Sequence, residues 1–150
     1  WSKTIKAIEN EFKSNANFEI EKDVSTFESL YSAYGLISDW SGIAMEYAFA
    51  CELPVLYIDG SPKINNSSYD KISCEALEIT IRNLIGKVIS PNELESLPKI
   101  IESTYENIDN FKTKIQEVRD KTVFNLGESG MNGAQEIVKI LHEKKKLGKN

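Results

Sequence analysis

Arginine is scarce in this chain: of 18 basic residues only Arg82 and Arg119 carry a guanidinium, and His142 is the single histidine. Guanidinium forks are the usual readers of phosphoproteins and nucleic acids. A net charge of −5 also leaves no basic surface with which to displace phosphate counterions. Broad nucleic-acid binding is excluded on that ground. Cysteine is limited to Cys51 and Cys74, which stand in apolar sequence without the spacing of metal ligands. They read as reduced thiols of a cytosolic protein. No apolar run approaches the ~20 residues a membrane-spanning helix needs, and the amino end does not resemble a signal peptide. A soluble, cytoplasmic chain is the expectation.

Apolar residues at 41% and charged residues at 27% are ordinary for a globular protein. At 150 residues the chain has the size of one domain, able to bury about two-thirds of its unfolded surface. It opens on Trp1 rather than Met, inside what reads as a helix, so a piece excised from a longer protein is expected.

Periodicity sets the architecture. Trp1, Ile5, Ile8 and Phe12 draw one apolar stripe along a helix, which Asn15 and Asn17 end. Phe18–Ile20 reads as a short strand, and Thr26–Ser32 as a capped helical turn. Gly35–Ser38 has the continuous apolar centre of a strand covered on both faces. Ile43–Cys51 carries only one charge, Glu46, and a helix apolar all round is expected to be buried. Pro54–Ile58 follows as a second strand, so 35–58 form a strand–helix–strand unit with parallel pairing and a right-handed crossover. Residues 59–73 are a polar loop, long for a connector.

Residues 77–89 read as a strand, a short helix ending at Gly86, and a strand at Lys87–Ile89. Ser90 and Pro91 are cap and first position of a helix. Its period runs through Leu97, Ile101, Tyr105, Ile108, Phe111, Ile115 and Val118 as one long amphipathic segment. Asn125–Gly133 is a break, and Ala134–Lys146 the final helix. The fold class is α/β, a Rossmann-like parallel sheet flanked by helices.

In open α/β sheets ligands bind beyond the carboxyl ends of the strands, where loops enter helix amino termini. Ser38-Asp39-Trp40-Ser41-Gly42 is such a turn. Ser41 or Asp39 can cap the helix while other amides aim outward, and Gly42 allows close approach to the backbone. Free N–H groups and the positive helix end hold anions; alternatively Asp39 and Ser41 only cap a buried helix. Glu46, if buried, needs a partner: a ribose or glycerol hydroxyl, or protein backbone or a Tyr. Arg82 either reaches a phosphate bidentately or lies on the surface. Asp59 and Lys63 wall a pocket or order a turn. Lys144, Lys145, Lys146 and Lys149 complement a helix dipole or attract an anionic membrane face.

The run Gly35-Leu36-Ile37-Ser38-Asp39-Trp40-Ser41-Gly42-Ile43-Ala44-Met45-Glu46-Tyr47-Ala48-Phe49, followed by Leu53-Pro54-Val55-Leu56-Tyr57-Ile58-Asp59, resembles the CDP-glycerol glycerophosphotransferase family. Those enzymes polymerise teichoic acids and related capsule or envelope polymers. Ile81-Arg82-Asn83-Leu84-Ile85-Gly86, Val88-Ile89-Ser90-Pro91 and Asn125-Leu126-Gly127-Glu128-Ser129-Gly130 resemble it too, so the likeness spans residues 30–142. It implies the two-domain GT-B architecture with the donor nucleotide in the carboxy-terminal domain. It implies a CDP-activated donor, a partner domain missing from this chain, and peripheral contact with the inner membrane face. Ser38, Asp39, Ser41 and Gly42 would line the donor phosphate pocket, with Trp40, Glu46 and Arg82 around it. The chemistry, attack on a donor phosphoryl group, rests on positioning and charge stabilisation. The family's histidine-bearing motifs have no match here, since His142 lies in a Lys-rich terminal helix; the resemblance therefore assigns binding without turnover, no catalytic residue, no metal and no cofactor.

Three other readings compete. A serine hydrolase needs Gly two positions before its nucleophile, where this chain has Asp39, and no histidine is placed to activate Ser41. A signalling domain with Asp39 or Asp59 as phosphoacceptor needs clustered carboxylates to hold Mg²⁺, and no Asp-Asp pair occurs. An interaction domain that uses its long terminal helices is open to any such composition.

Overall fold

The computed structural model describes residues 2–22, 28–61 and 68–147. They fall into two compact units, Trp1–Ser32 and Ala33–Asn150. The first holds α1 (Ser2–Phe12) and α2 (Glu28–Ser32). Phe12 and Phe18 rings meet at 4.9 Å, and Lys22 reaches Glu9 at 2.9 Å. Phe18–Ile20, expected as a strand, is irregular: no described strand lies beside it to pair with. Trp1 and Thr26, part of the expected helices, lie outside the described residues.

The second unit is α/β. Its order is β1 (Leu36–Ser38), α3 (Gly42–Cys51), β2 (Val55–Ile58), α4 (Leu77–Thr80), α5 (Arg82–Ile85), β3 (Gly86–Ile89), α6 (Leu97–Glu106), α7 (Ile108–Thr122) and α8 (Ser129–Leu147). The strands form one parallel sheet in the order β1-β2-β3. The register sets Val55 between Leu36 and Gly86, Leu56 between Ile37 and Lys87, and Tyr57 between Ser38 and Val88. Helix α3 packs on β1 and β2, α5 on β2 and β3, and α7 against both helices. The core is Ala44, Tyr47, Ala48, Val55, Leu56, Tyr57, Ile81, Ile85, Ile89, Ile115 and Val118.

Close packing requires glycine where α5 passes into β3. A Cβ on Gly86 would fall on the Val55 carbonyl oxygen of the neighbouring strand. Residues 77–80 are helix rather than the expected strand, because Leu77, Ile81 and Ile85 recur every four residues and turn inward together. Ile79, which alternation would have buried, is exposed.

The long amphipathic segment is broken twice. Ser90 and Glu93 close a capping box, but residues 91–96 form only 3₁₀ turns, since Pro98 has no N–H to carry an α-helix through. At Asn107 the side-chain amide donates to the Ser103 carbonyl at 2.8 Å, and the backbone N–H turns to Thr104 instead. That local competition separates α6 from α7. Helix α8 starts at Ser129, ahead of the expected Ala134. Among the described residues no helix is long and apolar enough to cross a membrane.

Candidate functional site

Two tyrosines hold the chain where it enters β1. Tyr47 Oη donates to the Ala33 carbonyl at 3.0 Å, and Tyr105 Oη to that of Tyr34 at 2.8 Å. The Tyr34 and Tyr105 rings stack at 4.8 Å, and Tyr105 lies so close to Gly35 that a Cβ there would strike its hydroxyl. These contacts hold β1, and with it the turn that follows.

Helix α3 has two unlike ends. Its carboxyl end is closed by α7. Arg119 Nη1 donates to the Phe49 carbonyl at 2.8 Å, while Nη2 reaches Glu52 at 2.9 Å. Gln116 donates to the other Glu52 oxygen at 2.9 Å, and Lys112 stands 3.3 Å from it. Donation from Gln116, then from Arg119, holds the Glu52 carboxyl below its ordinary value. Glu52 itself takes the left-handed conformation, φ 55°, that ends a helix.

Among the described residues nothing closes the amino end. Ser41 is the N-cap by conformation, yet its side chain makes no capping hydrogen bond. Among the described residues no group accepts from the amides of Gly42 and Ile43. They stand at the carboxyl edge of β1, where the helix dipole is positive. At the equivalent end of β3 the Ser90 hydroxyl and Glu93 carboxylate already satisfy the turn.

Beneath this turn lies a cluster that periodicity does not reveal. Arg82 is 5% exposed. Its guanidinium carbon lies 4.0 Å from the Trp40 ring centroid and 5.0 Å from that of Tyr57. Nη1 pairs with Asp59 Oδ1 at 2.9 Å, while Nε and Nη2 are buried with no hydrogen-bond partner. The Trp40 indole N–H donates to the Gly60 carbonyl at 2.8 Å. The turns after β1 and β2 are thus joined through Trp40, Arg82 and Asp59. Burial pushes the Tyr57 hydroxyl up to about 12, against the lowering effect of Arg82.

Of the residues singled out in the sequence, Ser38, Asp39, Trp40, Ser41 and Gly42 form this turn, and Arg82 packs against it. Arg82 is no surface arginine: Ile81 and Ile85 carry that side of α5 into the core. Glu46 is corrected in the other direction. It is exposed, because only Ala44, Tyr47 and Ala48 of α3 are buried, so no burial cost calls for a ligand hydroxyl. Asp59 ends β2 as expected; Lys63 lies outside the described residues. Tyr57 and Asp59 complete the cluster around Arg82, and the available signal was the rarity of guanidinium beside Ile81. Cys74, expected in apolar surroundings, is exposed, while Cys51 is half-buried and burial pushes its thiol up. Among the described residues no three His, Cys, Asp or Glu side chains converge as a metal site.

Set against known proteins, the chain matches no family model, no curated protein and no solved structure.

Proposed function

We propose that this chain is the donor-binding domain of a transferase resembling the CDP-glycerol glycerophosphotransferases, a Rossmann-like half of a GT-B architecture. It binds a nucleotide-activated polyol or sugar phosphate such as CDP-glycerol for transfer to an envelope or capsule polymer. The observation that carries the reading is the amino end of α3, where among the described residues no group accepts from the amides of Gly42 and Ile43, beside a buried guanidinium with two unpartnered nitrogens. A diphosphate seats on Gly42 and Ile43, with the Ser38 and Ser41 hydroxyls as further donors. Arg82 supplies positive charge from below, in a setting where water screens it little. The catalytic groups belong to a further domain, and the work is done beside an anionic membrane face.

The test is a ¹⁵N NMR titration. With CDP-glycerol or CDP at millimolar concentration, the amides of Gly42 and Ile43 and the Trp40 indole shift, and Asp39→Ala weakens the response. Signals unmoved by CDP-glycerol, CDP and UDP-sugars end the reading. One observation favours a non-catalytic interaction domain instead: α8 turns an apolar stripe to solvent.

A further inference from the structure

The guanidinium of Arg82 is a planar fork of N–H donors, and its side chain is only 6% exposed. Nη1 donates to Asp59 Oδ1 at 2.9 Å. Nε and Nη2, both buried, find no acceptor. Those two nitrogens share one edge of the guanidinium, the edge that grips a carboxylate or phosphate through two parallel hydrogen bonds. A buried donor without an acceptor is destabilising. Here two such donors stand side by side, at the spacing that two oxygens of one oxyanion fill.

The cover over this guanidinium is lightly held. The Trp40 ring lies 4.0 Å from the guanidinium carbon and is itself half-buried. Its polar anchor is the indole N–H, which donates to the Gly60 carbonyl at 2.8 Å. Asp59 and Gly60 are consecutive, so the ion partner of Arg82 and the latch of Trp40 come from the same turn after β2. Swinging the ring out breaks the latch and the cation–π contact. It also admits an acceptor to two N–H groups that have none. Loss and gain oppose each other, so a ligand that binds only the open arrangement shifts the balance towards it.

We propose that Trp40 is a gate over Arg82, which the oxyanion of a phosphate ester or diphosphate opens to take the Nε–Nη2 edge bidentately. Such a gate rests on the reading of this turn as a donor phosphate site, and deepens it. Arg82 becomes a direct phosphate ligand, while Asp59 keeps Nη1. Trp40 belongs to the same turn as the Gly42 and Ile43 amides, so an anion arriving at the amino end of α3 meets the gate. Lysine, a point charge, cannot reproduce the fork.

Titration of the 150-residue chain with pyrophosphate and with CDP-glycerol, followed by fluorescence, ¹⁵N NMR and calorimetry, tests the gate. Trp1→Phe leaves Trp40 as the only tryptophan. Binding is expected to move its emission to the red, to raise its quenching by acrylamide and to shift the indole N–H signal. Arg82→Lys, folded by circular dichroism, raises Kd at least about tenfold. Trp40→Phe keeps a ring but drops the latch to Gly60. It tightens binding about fivefold, the population gain that one hydrogen bond is worth. Weaker binding by Trp40→Phe makes Trp40 a wall of the pocket and overturns the gate. Gly42 and Ile43 amides that shift while the Trp40 emission and indole stay fixed also overturn it, and leave the donor site standing. Trp40 signals that respond to pyrophosphate but not to CDP-glycerol keep the gate and end the donor reading. Signals unmoved by either ligand end both.

Discussion

Removing one partner of the Arg82–Asp59 pair has a different consequence from removing the other, and that asymmetry tests how the site is built. Asp59→Ala leaves a guanidinium whose side chain is 6% exposed with three unpaired nitrogens instead of two. Stripping the partner from a fully buried charge costs about 3–5 kcal/mol. Asp59 is 47% exposed, so water already weakens the pair. A loss of about 2 kcal/mol is expected, or about 6 °C in Tm. Arg82→Met removes the charge itself. It gives up the ion pair and two cation–π contacts, each worth about 0.5–2 kcal/mol. In exchange it lifts the desolvation cost of two orphaned N–H groups, about 1–3 kcal/mol each, and the thioether still packs on the Trp40 and Tyr57 rings. The variant should lie within about 1 kcal/mol of wild type. Urea unfolding followed by circular dichroism measures both. If Arg82→Met proves the more destabilised of the two, the account of a partly unsatisfied guanidinium is wrong. Inorganic phosphate should stabilise Asp59→Ala more than wild type, since the freed guanidinium then faces an anion without a competing carboxylate.

Three further outcomes follow from single positions. Gly86→Ala drives a Cβ into the Val55 carbonyl, which cannot move without opening the β2–β3 pairing; a loss of about 3 kcal/mol or more is expected in chemical denaturation. Burial raises the Tyr47 and Tyr57 hydroxyls to about 12 from an ordinary 10.0. Their contribution to stability is therefore complete below pH 10 and lost as pH climbs towards 12; absorbance at alkaline pH should show Tyr47 and Tyr57 titrating late, with Tyr105 also raised by burial, and six tyrosines titrating in one step would refute it. Glu52 runs the opposite way. Its lowered value makes its contribution present above 4.5 and lost on further acidification, so the stability gap between wild type and Glu52→Gln should close below that pH in acid titrations of unfolding.

Much of the architecture is decided within a few residues of sequence. The apolar Leu36-Ile37 pair, Ser41 ahead of an apolar run, and Ser90-Pro91 before Glu93 announce β1, α3 and a capped turn, because these signals are local, but β1 is not covered on both faces as expected: it is an edge strand with Ile37 50% exposed, and the Ser41 side chain caps nothing. The turn at residues 38–42 was legible for the same reason. Other features were not, and each failure has a physical cause. Asn107 ends a helix whose apolar period runs on unbroken, since one side-chain bond to Ser103 outweighs the period there. Glu46 reads as buried from its neighbours, but how much of α3 is covered depends on what packs around it. Arg82 is the deepest case. Its environment comes from Trp40, Tyr57 and Asp59, all at least 23 residues away in sequence. Only folding assembles them. Spacing along a chain states what one element wants to bury; which residues from other elements receive it is a property of the parallel sheet that brings three strand ends together.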